Sequence, residues 1–542
     1  MTTDQDAWKT SSGIPLKLFY EKADGPDDLD PGLGPGAPPF TRGAYPEMYR
    51  SQLWRIFQLS GFGDPSDMNR RLKFLLDAGE TGIIVKHDRM TDDHLYDVDH
   101  PEIVERREDV GLTGTVTVGR RDYETIMDGI PIESVYVKPG GGVAQSAPYT
   151  QACFWSAALN RGLGWKDIRG TGQSDFFLTY VGCPTLEQIP PEAALRFNID
   201  LIEWCTSKMP KWVPVSIAGY NGADSGLNAV QELGAVFANA ITYIEATLER
   251  GNLAVEDFVY GIGGINLRTS MDMFEDAAKL RAARKIWSDL LLNRYGVTDE
   301  RARRLRIHIV TAGSQMTYQE PMNNIVRGTV MAMAAALGGA QSLGVSGYDE
   351  AMSIPGDHAH LMSIRIQQIL QEETNIPAVA DPLGGSHYVE HLTSELERRA
   401  LEYIEKIEGR GGFVSVLNDG WLIGEASDTQ AEQLREVQQG DRRVVGVNAH
   451  LVEDPIMNVE GFEGRSGAET WQRAMDRLAD VRKTRNETGA KRALDNLAAT
   501  LLSDENIVPA MMDAVGADAT IGEIGSIFRQ VLGNWRPPIE FG

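Results

Sequence analysis

Residues 213–226 read VPVSIAGYNGADSG. The run 213–218 is short and apolar and stops at Gly219. Tyr220, Asn221 and Asp224 follow, then Gly226, and an amphipathic helical pattern opens near Leu227. A buried strand, a polar turn and a helix in this order make a βα unit. In barrels built from such units, chemistry sits where strands end and helices begin. This turn is therefore the first place to expect a site.

The same alternation recurs on both sides of it. Apolar strand patterns lie at 82–86, 134–138 and 167–171 before the turn, and at 258–262, 305–311, 340–345 and 378–381 after it. Helical periodicity covers 67–78, 192–208, 228–250, 271–294, 320–337, 358–373 and 386–408. Eight such alternations in an α/β chain predict a parallel (β/α)8 TIM barrel rather than an open doubly wound sheet. The barrel spans 45–410. Residues 1–44 are rich in Pro, Gly and Asp and predict an extended N-terminal arm over the surface or a partner, with chain-end disorder as the alternative. Residues 411–542 predict a mostly helical region, with patterns at 428–439, 468–485, 489–502 and 507–515.

The formal net charge of −25 argues against a nucleic-acid partner, whose recognition needs concentrated Lys and Arg. Cys153, Cys183 and Cys205 form no CxxC pair, which fits a reducing compartment. The sequence holds no apolar run long enough to span a membrane, and MTTDQDAWKT is too polar for a signal peptide. The expectation is a cytoplasmic protein.

Several motifs have both a chemical and a plain reading. The glycine runs at 139–142 and 261–264 follow strand patterns and could approach a phosphate, yet tight turns explain them equally. Lys86, His87, Asp88 and Arg89, then Asp92, Asp93 and His94, follow the strand GIIVK. They could bind an anion or move protons, or form a solvated loop. Lys86 at a strand end also permits a Schiff-base lyase or aldolase. Glu350 reads as a helix cap as readily as a site residue, and His308 inside RIHIVT reads as a satisfied core histidine. His94 and His100 lack the spacing of a zinc site, so no metal is expected.

Longer segments carry a family resemblance. GIPLKLFY (13–20), PPFTRGAYPEMY (38–49), SGFGDPSDMNRRLKFLLDAGETGI (60–83) and YDVDHP (96–101) are followed by RGTGQSDF (169–176) and SIAGYN (216–221). KLRAARKIW (279–287), GGAQSLGVSGYDEAMSIP (338–355), DPLGGSHYVE (381–390) and VVGVN (444–448) come later. In this order they resemble the large chain of the adenosylcobalamin-dependent acyl-CoA mutases, the family of methylmalonyl-CoA, isobutyryl-CoA and 2-hydroxyisobutyryl-CoA mutases. The resemblance covers most of residues 13–450.

The resemblance implies a barrel threaded by the acyl-CoA substrate and a radical 1,2-rearrangement that depends on adenosylcobalamin. The family's cobalamin-binding motif, DxHxxG, does not occur in this sequence. The expected partner is therefore a small cobalamin-binding subunit carrying DxHxxG, in a heterotetramer or around a homodimer of large chains. Carried over by position, Tyr220, Asp224, Glu350, Ser346 and Gly61 are expected at the cofactor. By the same carry-over Tyr45, Met48, Leu59, Thr171 and Cys183 are expected at the substrate and Asn221 and Gln173 in catalysis. From the polar cluster after GIIVK, Arg89 is expected at the substrate and Lys86 and His87 in catalysis.

The lining departs from the family pattern. Asn221 stands where the family has the histidine that bonds the thioester carbonyl, and an amide cannot act as an acid near neutral pH. The tyrosine and arginine that hold the carboxylate of methylmalonyl-CoA align with Leu59 and Cys183, which argues against that substrate. Arginines that hold CoA align with Gln52, Phe57 and Ile262, a serine with Gly264, a glutamine with Val310 and an asparagine with Ser346. Three readings stay open. The chain is a mutase of another small acid or acyl thioester, with Lys86, His87 and Arg89 replacing the lost anion contacts. It is a mutase of ordinary short branched acyl-CoAs. Or it is a non-catalytic structural subunit of a heteromeric mutase.

Overall fold

GIIV at Gly82–Val85 is buried at every position, as a parallel strand covered on both faces has to be. The computed structural model to which it belongs describes residues 9–25, 33–140, 143–182, 187–453, 464, 466–536 and 538. Ten strands occur among them: β1 (Arg55–Ile56), β2 (Leu59–Ser60), β3 (Gly82–Val85), β4 (Tyr136–Lys138), β5 (Gly170–Thr171), β6 (Trp212–Val213), β7 (Ile217–Ala218), β8 (Gly264–Thr269), β9 (Arg306–Thr311) and β10 (Ser342–Gly344). They make two parallel five-stranded sheets, ordered β1-β10-β9-β8-β7 and β2-β3-β4-β5-β6. The fold is α/β.

Each sheet belongs to its own compact unit. The first unit comprises Met1–Ile56, Ile217–Ile244 and Gly263–Gly461; the second comprises Phe57–Ser216, Glu245–Ile262 and Phe462–Gly542.

In the first unit, β9 shows how the sheet is used. Ile307, Ile309 and Thr311 are buried while Arg306, His308 and Val310 are half-buried. The face of His308 continues in register across its flanking partners Asn266, which is buried, and Ser342, and across Arg55, which pairs with Ser342. The other face packs under helices. Met273–Tyr295 is among them, with Trp287, Arg281 and Arg284 fully buried. Arg284 donates to the carbonyls of Phe40 (2.9 Å), Thr41 (3.0 Å) and Gly338 (2.9 Å). The described end of the predicted arm is therefore packed, with Phe40 buried. Most of GPDDLDPG (25–32) lies outside the described residues.

In the second unit, Asp64 starts the helix Pro65–Asp77 by accepting from the amides of Ser66 (2.8 Å) and Asp67 (3.1 Å), and Pro65 needs no hydrogen-bond partner there. The helix Ala147–Asn160 is buried on nearly every side. Trp155 from it meets Trp212 edge to face, with ring centroids 5.5 Å apart.

Three strand expectations are corrected. Residues 258–262 lie in a helix, Val255–Ile262, because Val255, Phe258, Val259 and Ile262 fall at helical spacing and all are buried. The strand is β8, immediately after. The glycine run 261–264 therefore precedes a strand and cannot cradle a phosphate at a helix start. Residues 378–381 form no strand. Pro377 sits in a short turn of 3-10 helix, and Asp381 takes a left-handed φ of 48°. The run 213–218 splits into β6 and β7 around Pro214, which has no N–H for a ladder. β1 and β2 escaped prediction because two-residue strands leave no period to read.

Candidate active site

At the end of β7 the sequence GYNGAD folds as a short helix, Gly219–Asp224, where a polar turn was expected. Gly219 permits it, since a Cβ there would stand 2.5 Å from Cγ2 of Val236. Asp224, at the end of this helix, accepts from Ser314 Oγ at 2.8 Å and from Arg268 Nη1 at 3.4 Å. The same Arg268 nitrogen donates to the Ala223 carbonyl. Arg268 is itself held by its backbone. Its N–H donates to Glu232 at 2.8 Å, and its carbonyl accepts from Lys279, which is also paired with Glu232 (2.7 Å) and Asp276 (3.0 Å).

Glu350 approaches the same place. A Cβ built on Gly313 would lie 3.5 Å from Asp224 Oδ2 and 3.6 Å from Glu350 Oε1. Glu350 reaches the surface. Even so, the protein atoms crowding its carboxyl group, then the charges of Asp349 and Asp224, push its pKa up to about 7. Ser346 is tied to β9, its N–H donating to Thr311 Oγ1 (2.8 Å) and its hydroxyl to the Thr311 carbonyl (2.9 Å). Tyr220 and Asn221 are half-buried. The Asn221 Oδ1 is fully buried and has no hydrogen-bond partner among the described residues. An orphaned buried acceptor costs about 1–3 kcal/mol, so the structure keeps this one at a cost.

Elsewhere in the first unit, Met48 is buried at a φ of 43°. Its Cε is 3.0 Å from where a Gly339 Cβ would stand, so packing accounts for it. Tyr45 is half-buried, and the Arg304 guanidinium lies 5.8 Å from its ring centroid. The Arg304 Nε is buried without a hydrogen-bond partner among the described residues. His308 is bonded to Ser342 Oγ at 2.8 Å but sits on the polar face of the sheet rather than in the core.

The second unit carries the remaining expected residues. Leu59 on β2 is 44% exposed. A Cβ on Gly61 would come 1.9 Å from the Lys86 carbonyl, so Gly61 is required by packing. Thr171 and Gln173 are buried at the end of β5, and Gln173 Nε2 has no partner among the described residues. Cys183 lies outside the described residues.

The Lys86–Arg89 cluster separates. Lys86 is half-buried on the same face as Ile84, and His87 points the other way, as period-2 alternation demands. His87 is buried with Nε2 at 2.8 Å from the Tyr123 hydroxyl and 3.1 Å from the Pro139 carbonyl. Burial holds its pKa down to about 4. The ring also fills the space a side chain at Gly140 would need, which explains the glycine at that position; Gly141 and Gly142 lie outside the described residues. Arg89 is spent on Asp93 at 3.1 Å. Asp88 accepts from the Gly111 and Thr91 amides and from Thr113 Oγ1, so the loop is a buried polar network rather than a solvated one. His87 and Arg89 therefore do not join Lys86 at an anion site.

Lys138 was missed. It is buried, 7% exposed, at the end of β4, and no hydrogen bond or ion pair to its amine occurs among the described residues. Burial, and then the charge of Lys86, bring its pKa down to about 7. Its apolar neighbours Tyr136 and Val137 made it read as the last residue of a strand. Arg268, Ser314 and Gly313 were missed as well. The polar alternation in GINLRT was the available signal for Arg268. No group of three or more His, Cys, Asp or Glu residues suited to a metal ion occurs among the described residues. No helix there is long and apolar enough to cross a membrane.

A sequence model of the family described as methylmalonyl-CoA mutase matches residues 9–534. The chain belongs to the methylmalonyl-CoA mutase family. Mutases are isomerases, so membership makes this chain an isomerase by class. Over 537 residues it is 33% identical to the 2-hydroxyisobutanoyl-CoA mutase large subunit of Aquincola tertiaricarbonis, covering 98% of this chain and 93% of that one. It is 35% identical over 545 residues to a methylmalonyl-CoA mutase of Cereibacter sphaeroides and 32% identical over 552 residues to that of Escherichia coli. In both comparisons 99% of this chain matches 74% of the relative.

Proposed function

We propose that this chain is the large subunit of an adenosylcobalamin-dependent carbon-skeleton mutase that rearranges a small acid or acyl thioester other than methylmalonyl-CoA. The observation that carries the reading is the Asp224–Glu350 pair around Gly313, beside an Asn221 whose side-chain oxygen is buried and unsatisfied. These are hydrogen-bond acceptors, suited to the ribose hydroxyls and side-chain amides of adenosylcobalamin. Tyr220, Asp224, Glu350 and Ser346 would hold the cofactor. When bound, it supplies a weak cobalt–carbon bond and with it the radical chemistry that rearranges the skeleton.

The chain's own residues orient the substrate. In the second unit Gln173 Nε2, without a partner among the described residues, is a donor for a carbonyl or carboxylate oxygen; taken by itself in the first unit, Asn221 offers an amide in place of an acid. Leu59, an exposed apolar residue, gives a substrate carboxylate nothing to pair with at the position where the resemblance puts a tyrosine. We take the family's (β/α)8 barrel as the fold, a reading that parallel strands alternating with helices support. A small cobalamin-binding subunit is the partner we expect, as the large-subunit relative suggests.

Co-purification with a small DxHxxG protein and adenosylcobalamin, followed by electron paramagnetic resonance with a panel of acids and acyl-CoA thioesters, tests the reading. The expected result is a substrate-dependent paramagnetic signal. No signal with any member, together with no cobalamin retained by the complex, refutes it.

A further inference from the structure

Three adjacent parallel strands of the second unit, β3, β4 and β5, end in or are closely followed by polar residues. Ile84 pairs with Lys138, and Val137 pairs with Gly170. Parallel partners share a face, and residues two apart along a strand return to it. Lys138 and Thr171 therefore end β4 and β5 on the same side, and the alternation, continued just past the ends of β3 and β5, brings Lys86 (two past Ile84) and Gln173 (two past Thr171) to it. Leu59 pairs with Ile84 and shares that face.

We infer that Lys86, Lys138 and Gln173 form a receptor for a carboxylate group of the substrate. A buried amine without an anion is disfavoured as a cation, and a second amine beside it makes matters worse. Among the described residues neither lysine is engaged in an ion pair or hydrogen bond through its amine. Asp88 and Asp92 feel the charge of Lys86, but neither forms an ion pair with it among the described residues: Asp88 is consumed by its loop, and Asp92, whose Oδ2 accepts from Ser146 at 3.0 Å, has its carboxyl pKa pushed up to about 7 by burial. Gln173 adds an N–H donor that is buried and unsatisfied. A carboxylate has acceptor sites for all three groups, and its charge would restore the protonated state of Lys138. That lysine's lowered pKa agrees with an amine kept for a ligand. The inference deepens the mutase reading by naming a chemical class for its substrate. It also moves the anion contact from the expected His87 and Arg89 to Lys138.

The test is calorimetric titration of the full chain with succinate and propionate, and with propionamide as a neutral isostere. Both acids are expected to bind, and the amide at least about 10-fold more weakly. Lys138→Met and Lys86→Met, apolar replacements that relieve a buried charge and so should fold, are each expected to weaken the acids about 10-fold or more. Lys138→Arg should recover much of the loss. Equal binding of acid and amide, or wild-type affinity in both Met variants, overturns the inference. Reductive trapping of a carbonyl compound on Lys138 by borohydride overturns it too, in favour of a condensing amine. The assay reads binding to this chain alone. A chain that binds acids but gives no paramagnetic signal leaves the receptor standing and removes the mutase reading. A chain that turns over with unchanged KM in Lys138→Met does the reverse.

Discussion

The carboxylates of Asp224 and Glu350 both lie within 3.6 Å of the point where a Gly313 side chain would begin. Two acids come this close because each is tempered: Asp224 by Arg268 and Ser314, Glu350 by holding its proton up to about pH 7.

This gives a pH dependence with a definite sign. The folded-state pKa of Glu350, about 7, is raised above the ordinary 4.5. Its proton-linked stability is then fully present below about 4.5 and lost as pH rises to about 7. Glu350→Gln removes that loss. Relative to wild type, the variant should gain on the order of 1 kcal/mol between pH 5 and pH 8, after allowance for solvent screening at a surface-reaching group. Urea unfolding at the two pH values checks it; an unchanged difference contradicts it.

Arg268 has two acceptors that lose their donor together. Arg268→Met should destabilise the chain by about 1–3 kcal/mol, because the Ala223 carbonyl and Asp224 are left short of a partner. Arg268→Lys should restore less than half, since its shorter side chain does not bring an N–H to the place of Nη1, which serves both acceptors. Denaturant midpoints of the three proteins decide the matter.

His87 should act on stability and leave acid binding alone. Its pKa is depressed from 6.5 to about 4, so its contribution is present above 6.5 and lost as pH falls towards 4. His87→Phe should flatten that part of the acid limb by about 2 kcal/mol, while Tyr123 keeps the Pro139 carbonyl at 3.0 Å. A parallel acid limb in wild type and variant would show that the ring protonates freely.

Gly61 guards the position of Lys86. Gly61→Ala puts a methyl group 1.9 Å from the Lys86 carbonyl, and overpacking of this kind costs about 1–3 kcal/mol. Reduced stability with weakened acid binding is the expected outcome. Full affinity for succinate would mean that Lys86 does not need its present backbone position.

Arg304 bears on whether the substrate carries CoA. Its guanidinium lies near the Tyr45 ring, with a buried Nε that has no hydrogen-bond partner among the described residues, a combination suited to a phosphate. Arg304→Ala should weaken acyl-CoA binding about 10-fold and leave free acids untouched, as isothermal titration with both classes would show.

The alternation of strand and helix was legible because buried parallel strands such as β3 are runs of apolar residues, and their helices keep a 3.6 period. Where two patterns share a composition, the sequence misled: Val255, Phe258, Val259 and Ile262 serve a helix face as well as a strand. The polar turn 219–226 could be located, but not its helical form, since six residues hold too few turns to show a period. Asp224 and Glu350 are 126 residues apart, and only the fold reveals that Gly313 lies between them. Lys86 and His87 looked like one cluster because they are neighbours in sequence, yet a strand sends neighbours to opposite faces. Lys138, 52 positions from Lys86, was the true companion.

Lys138, which has no counter-ion among the described residues, also makes the protein its own reporter. A binding site that strains the free chain converts occupancy into resistance to heat: any compound neutralising that amine should raise the melting temperature, by roughly the logarithm of its concentration over its Kd. Melting curves recorded across a library of simple acids would rank candidate substrates before the partner subunit or a turnover assay is in hand. In Lys138→Met, whose baseline should already be higher, the ranking should collapse.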